Sequence, residues 1–419
     1  MKVAGIIAEY NPFHNGHQYQ IQTLKNRIGA DYIVVALSGD FVQRGVPACL
    51  DKFTRTRMAL LGGADLVIEL PSVWATASAE SFATGGVRLL EATGIVDILG
   101  FGAECQKEDL SFLDTIASIL LLEPPKYKET LKEALRAGVS FPTARKEAIC
   151  SVVPKEEKRR VSVLLATPNT ILAIEYLKAL QLSHSPIEPV LIPRIGDGYH
   201  EKTATSSFAS ATAIREILFS DQKRDPLRRL MPPEVFSLLS DSSHESFLMR
   251  EDAFSSALGQ VLLENALHGF ADYADCTQSL SNRINTLLPK FQSQSQFAGL
   301  LKTKEITHTH IQRALLHILL QHTLSDMESA KTCLFPNAFP YLRILGFRKE
   351  SGELLHALKQ HAQCPILTKV ADVCLSENPV AHRLFQMDLY AGNLYAQQLQ
   401  ILYQQEFPNE YTHPIVFIP

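Results

Sequence analysis

Residues 1–26 read MKVAGIIAEYNPFHNGHQYQIQTLKN. Val3–Ala8 is a short continuous apolar run, the pattern of a buried parallel strand. A helical pattern is under way from Gly16 to Arg27. Between them lie Asn11-Pro12, which favours a turn, and then His14, Asn15, Gly16 and His17. Where a strand hands over to a helix, free N–H groups and the positive end of the helix dipole converge on one point and make an anion site. His14 and His17 are about one turn apart, so both rings can serve that point. Gly16 lets a ligand lie close against the backbone. Two imidazoles beside helix N–H donors suit a phosphate that gains negative charge in a transition state. The plainer alternative is a pair of surface or core-edge histidines around an ordinary turn. Their position directly after the first strand favours the phosphate reading.

Outward from this junction, strand runs at 32–38, 65–70 and 96–102 alternate with helical stretches at 51–61 and 77–90. That alternation predicts an α/β fold with a doubly wound parallel sheet and ligands at the carboxyl ends of its strands. Helices dominate 108–150. "NTILAIEYLKAL" (169–180) places Asn169 in N-cap position, 186–194 reads as a further strand, and 210–218 starts another helix. Residues 1–220 are thus expected to form one catalytic unit. The charge-, Pro- and Ser-rich stretch 221–245 reads as a linker. From 246 to 419 the pattern is mainly α-helical (250–268, 272–288, 293–302, 308–324, 382–405), with "PIVFIP" as a terminal strand.

Composition sets bounds. The chain has 419 residues, is 46% apolar and carries a net charge of −4. Bulk charge does not announce a nucleic-acid binder, but a local basic face suffices for one. Seven scattered cysteines without C-x-x-C read as reduced thiols in the cytoplasm. No signal peptide and no membrane span are expected, because no apolar run reaches about 18 residues. No H-E-x-x-H or Cys/His cluster points to a protein-bound zinc.

Other candidate site residues follow strand ends. In "SFASATAIR", Ser210 and Thr212 sit at a helix start and Arg215 one turn in, a set that can hold a leaving pyrophosphate. Gln43, Arg44, Asp51, Lys52, Arg55 and Arg57 follow the second strand. Gly102, in "GFGAE", admits a base or ribose, and Arg194, Asp197 and His200 follow the strand at 186–194.

The pairing of H-x-G-H with a late S-x-T-x-x-R resembles the nucleotidyltransferase superfamily. The longer strings "GIIAEYNPFHNGH", "SGDFVQRGVPACLDKFTRTRMAL", "DLVIELP", "SAESFATGGV", "IPRIGDGYH" and "LKTKEITHTHIQRALLHILL" resemble the bacterial tRNA(Met) cytidine acetate ligase family. "YLRILGF" is similar to its helical part. The resemblance runs in order over most of the chain, with 111–165 the least familiar region. It implies an enzyme that activates acetate with ATP, accompanied by Mg²⁺, and acetylates N4 of the wobble cytidine of elongator tRNA(Met). By the match, an ATP loop comprises Ile7, Ala8, Glu9, Tyr10, Asn11, Pro12, Phe13, His14, Asn15, Gly16, His17, Gln18, Tyr19 and Gln20. Gly102, Asn169, Arg194 and Ile195 line the nucleotide, and His14, His17 and Arg215 do the chemistry. Asp197 and His200 are candidates for the base of the transfer step. For the RNA, basic residues of the helical half are the candidate phosphate contacts: Lys302, Lys304 and Arg313, with Arg283, Arg343 and Arg348 behind them. The rival reading is an adenylyltransferase of cofactor synthesis, which the two short motifs alone fit equally well but which needs no helical half.

Overall fold

The computed structural model describes residues 1–195, 208–220, 225–240, 247–334 and 339–419. Its strands are β1 (Val3–Ala8), β2 (Tyr32–Ser38), β3 (Phe41–Val42), β4 (Val46–Pro47), β5 (Leu66–Leu70), β6 (Ile98–Ala103), β7 (Glu188–Pro193), β8 (Leu342–Arg348), β9 (Ile366–Leu367) and β10 (Val416–Ile418). The main sheet runs β10-β8-β5-β2-β1-β6-β7, with β9 paired to β8. The stretch β5-β2-β1-β6-β7 is parallel throughout. From β1 the chain first builds outward through β2 and β5, then returns to the other side of β1 with β6. That reversal opens a crevice beyond the carboxyl ends of β1 and β6, where ligands bind in such sheets.

Alternate residues of the strands feed two cores. Ala4, Ile6, Ile33, Val35 and Leu37 pack on one face with Ile21 and Leu24 of the helix Asn15–Asn26 and with Met58 and Leu60 of the helix Lys52–Leu61. Val3, Ile7, Val34, Ala36 and Ile68 pack on the other with the helices Ala79–Ala92 and Pro168–Ser183. The unfamiliar region is a run of helices, Leu110–Leu122, Pro125–Arg136, Phe141–Val152 and Lys158–Leu164, between β6 and the helix that returns to β7. No single helix among the described residues is long and apolar enough to cross a membrane.

Two parts differ from the sequence expectation. The stretch read as a linker is folded over 225–240: a 3₁₀ turn (Asp225–Arg229) and the helix Pro233–Ser240 bury Leu227, Leu230, Met231 and Val235 in the first of these cores. Its Pro and charge content masked an apolar side at helical spacing. The mainly helical second half also carries a strand that its sequence did not suggest: "YLRILGF" supplies β8, antiparallel to β5, and the expected terminal strand is present as β10, paired with β8. A short, mostly apolar run is ambiguous between strand and buried helix until its partner is known.

A buried ion cluster ties the halves together. Lys52, 1% exposed, places Nζ 2.7 Å from Glu69 and 2.8 Å from Glu410, and Arg343 bonds the same two carboxylates. Burial and Arg343 act to discharge Lys52, but Glu410, Glu69 and Asp40 outweigh them and hold its pKa above the ordinary lysine value. Arg343 is therefore an interior residue and not a reserve contact for RNA.

Candidate active site

The loop after β1 is fixed from beneath by one buried guanidinium. Arg55, fully buried, donates to the main-chain oxygens of Glu9 (2.7 Å), Ser38 (3.0 Å), Leu50 (2.9 Å) and Gly39. Asn11 adds a bond from Cys49 N–H to its Oδ1 at 2.8 Å. The loops after β1 and β2 are thus tied to one another. Of the charged residues that follow β2, Lys52 and Arg55 are structural, and Asp51 caps the helix Lys52–Leu61. Gln43 and Arg44 face the crevice.

The two histidines are locked by the helix they start. His14 is the N-cap of Asn15–Asn26, and its Nδ1 accepts Gly16 N–H at 3.0 Å. His17 Nδ1 accepts His14 N–H at 3.2 Å. The rings stack with centroids 3.8 Å apart. Since both δ nitrogens accept, each neutral ring carries its proton on Nε2, the atom left to meet a ligand. Burial first, then Arg194 and Arg215, hold the His14 pKa down to about 3. Burial, His14 and Arg194 lower His17 likewise. The free site therefore offers two neutral N–H donors. Gly16 is needed for this arrangement: a Cβ there would lie 2.8 Å from His14 Cε1.

The second motif closes on the first. Ser210 caps the helix Ala211–Phe219, its Oγ accepting Ala213 N–H at 3.2 Å. Arg215 donates to Thr212 Oγ1 (3.2 Å) and to the main-chain oxygen of Asn11 (2.7 Å). A third wall comes from β6 and β7. Arg194 N–H bonds Ala103 O at 3.0 Å, and its Nε lies 3.6 Å from Glu104. Asn169 bonds the same carboxylate. Thr167, not Asn169, is the N-cap of Pro168–Ser183; Asn169 lies inside the first turn, and its amide is turned toward Glu104. Glu104, the last residue of "GFGAE", is thus a member of the site that the sequence pattern alone does not single out.

Two cavities meet at His14, His17, Gln20, Gly102, Arg194 and Ser210. One, about 350 Å³, runs beyond β6 and β7 past Gly16, Tyr19, Glu104, Ile195 and Phe208. The other, about 380 Å³, runs beyond β1 past Ile7, Ala8, Glu9, Tyr10, Asn11, Gln43 and Arg44 to Phe82, Phe101 and Tyr176, with Asn169, Thr212 and Arg215 on its rim. Pro12, Phe13, Asn15 and Gln18 line neither. Phe13 is a core residue packed edge-on to Tyr10, and Asn15 is held by the main-chain oxygens of Arg229 and Leu230. Asp197 and His200 lie outside the described residues.

Comparison with known proteins agrees with this geometry. The HIGH nucleotidyl transferase family model matches residues 1–410. A tRNA(Met) cytidine acetate ligase of Clostridium kluyveri is 38% identical over 402 residues, spanning 94% of this chain and 95% of that protein. The crystal structure of Thermotoga maritima TmcAL without ligand superposes with a TM-score of 0.90 at 30% identity, and the structure bound with alpha-thio ATP with 0.87, each covering all of both chains. The chain belongs to the tRNA(Met) cytidine acetate ligase family.

Within that family assignment, the structure sorts the basic residues proposed for RNA. Lys302 and Lys304 are exposed in the turn between the helices Gln294–Leu301 and His308–Leu320. Arg313 is not available: it is 9% exposed, and its Nε donates to Asp275 at 2.8 Å. The periodicity of that helix gives its face but not the acid that arrives from 275. Arg283 donates to the oxygens of Leu300 and Leu301 at the end of a helix.

Proposed function

We propose that this chain is an ATP-dependent acetate ligase that forms acetyl-adenylate from acetate and ATP and transfers the acetyl group to N4 of the wobble cytidine of elongator tRNA(Met). AMP and pyrophosphate leave. The observation that carries this reading is the seam between the two cavities, where His14 and His17 point paired Nε2–H donors. An α-phosphate there has a nucleoside slot on one side and an acceptor slot on the other. The Thermotoga maritima relative, by its own description, holds an ATP analogue.

Gly102, Arg194 and Ile195 bound the nucleoside slot, with Tyr19 and Phe208 forming an aromatic edge-to-face pair at 6.1 Å. An acetate oxygen attacks the α-phosphorus from the acceptor side. The neutral imidazoles donate to the phosphate oxygens as charge builds, and Arg215 with the helix start at Ser210 receives the departing pyrophosphate. Mg²⁺ would accompany ATP as its counter-ion and neutralise phosphate charge, without a dedicated set of protein ligands. The cytidine amine then attacks the acyl carbon. A single-stranded anticodon loop can present that base without melting a duplex. Lys302 and Lys304 supply phosphate contacts from the helical half. A tRNA substrate fits work in the cytoplasm.

Isotope exchange between pyrophosphate and ATP tests the reading. Exchange that requires acetate and proceeds without tRNA supports the ligase. Exchange that ignores acetate and follows a phosphorylated small molecule would favour the cofactor adenylyltransferase.

A further inference from the structure

The acceptor cavity has an unusual end wall. Glu9 closes β1 and has both ends fixed: its main-chain oxygen by Arg55 at 2.7 Å, and its Oε1 by Gln43 N–H at 2.9 Å. Gln43 belongs to the β3–β4 hairpin, whose tip is gripped by the helical half. Gln294 Nε2 donates to Gly45 O at 2.9 Å, and a Cβ at Gly45 would collide with the main chain of Gln312 and Arg313. Glu9 therefore stands where the adenylate site meets the half assigned to RNA. Phe82, Phe101 and Tyr176 wall the same cavity with nearly buried rings.

Transfer to an exocyclic amine needs a group that can take a proton. Among the described residues lining this cavity the choice is narrow. Arg44, Arg194 and Arg215 are donors only. His14 and His17 use Nδ1 to accept backbone N–H groups and carry protons on Nε2. The Tyr176 phenol is pushed up by burial, with the Glu9 charge adding to it, so it keeps its proton. Glu9 alone brings a carboxylate: Gln43 N–H bonds its Oε1, and the Arg44 charge faces it in the same cavity.

Resting on the ligase reading, we propose that Glu9 is a catalytic residue of the second step, whose carboxylate accepts the N4–H of the acceptor cytosine and takes its proton. The N4 lone pair forms the bond to the acyl carbon. The bond from that carbon to the adenylate oxygen breaks, AMP leaves as an anion, and the N4 proton passes to Glu9 and then to solvent. A carboxylate opposite an exocyclic amine also reads cytosine by its donor. This moves Glu9 from the nucleotide, where the loop resemblance puts it, to the acceptor.

The test compares two activities of the full-length protein: acetate-dependent ATP–pyrophosphate exchange, and transfer of radiolabelled acetyl to a tRNA(Met) transcript. Glu9→Gln keeps the shape and an amide oxygen for Gln43 N–H but removes the base. The ratio of transfer to exchange should fall about 100-fold or more, the scale of a lost general base, with Glu9→Asp in between. A ratio equal to wild type, whether both activities persist or both fall together, overturns the proposal. So does a transfer defect of that size in Asp197→Asn or His200→Gln while Glu9→Gln transfers normally. Wild-type protein with no acetate-dependent exchange would instead refute the ligase reading, and this inference would fall with it.

Discussion

The Arg215 guanidinium donates to the main-chain oxygen of Asn11 at 2.7 Å, across 204 residues of chain. The two short motifs are therefore one structure: the helix start that would hold pyrophosphate is bolted to the loop that presents the histidines. Charge-assisted bonds to a carbonyl fix geometry as well as charge. Arg215→Lys keeps the charge but loses the fork, so it should cost at least tenfold in exchange rate at saturating acetate. A wild-type rate would separate the motifs functionally.

His14 has two tasks, and one substitution splits them. Its Nδ1 caps the helix, and in the proposed mechanism its Nε2 is the phosphate donor. Asn is a good N-cap but cannot reach as far. His14→Asn should keep thermal stability near that of wild type while exchange falls about 100- to 1,000-fold, the scale of one lost transition-state donor. Melting curves and exchange assays on the same preparation check both.

Gly16→Ala tests the packing behind that donor. The added Cβ meets the His14 ring at 2.8 Å, and the ring must turn. We expect a loss of about tenfold or more in kcat/KM for ATP, since small misplacements at a reacting centre are costly. Full activity would mean that the ring position is not critical.

The buried histidine also predicts a pH dependence of stability. Its folded pKa lies near 3 and its ordinary value is 6.5. Below pH 6.5 the unfolded chain binds a proton that the folded chain refuses, so stability falls as pH drops from 6.5 toward 3. At pH 5 this residue should cost about 2 kcal/mol. Urea midpoints from pH 7 to pH 5 should decline less steeply in His14→Asn than in wild type.

Much of this was legible in the chain. The strand–helix alternation that starts at β1 and the H-x-G-H and S-x-T-x-x-R segments are local patterns, and local patterns carry their own geometry. What the sequence hid is contact between distant segments. Arg313 and Arg343 look like surface charges until Asp275 and Glu410 arrive to pair with them. Residues 225–240 look like a linker until the core around the helix Lys52–Leu61 offers a surface to bury Leu227, Leu230 and Val235. Glu104 and the aromatic wall of Phe82 and Tyr176 lack any spacing signal, because each comes from a different element.

The ion cluster should matter for stability and not for chemistry. Arg343→Leu leaves Glu69 and Glu410 sharing Lys52 alone in the interior. Breaking such a cluster from one side costs about 3–5 kcal/mol. Chemical denaturation should show that loss; a change below about 1 kcal/mol would mean that water already reaches the cluster.

In the proposed mechanism a carboxylate oxygen displaces pyrophosphate at the junction of β1 and its helix. Acetate labelled with oxygen-18 in both positions tests it directly, with the released AMP read by mass spectrometry after single-turnover acetylation of tRNA. One labelled oxygen is expected in the AMP phosphoryl group for each acetyl group transferred. AMP free of label, with acetylated tRNA still formed, would contradict it.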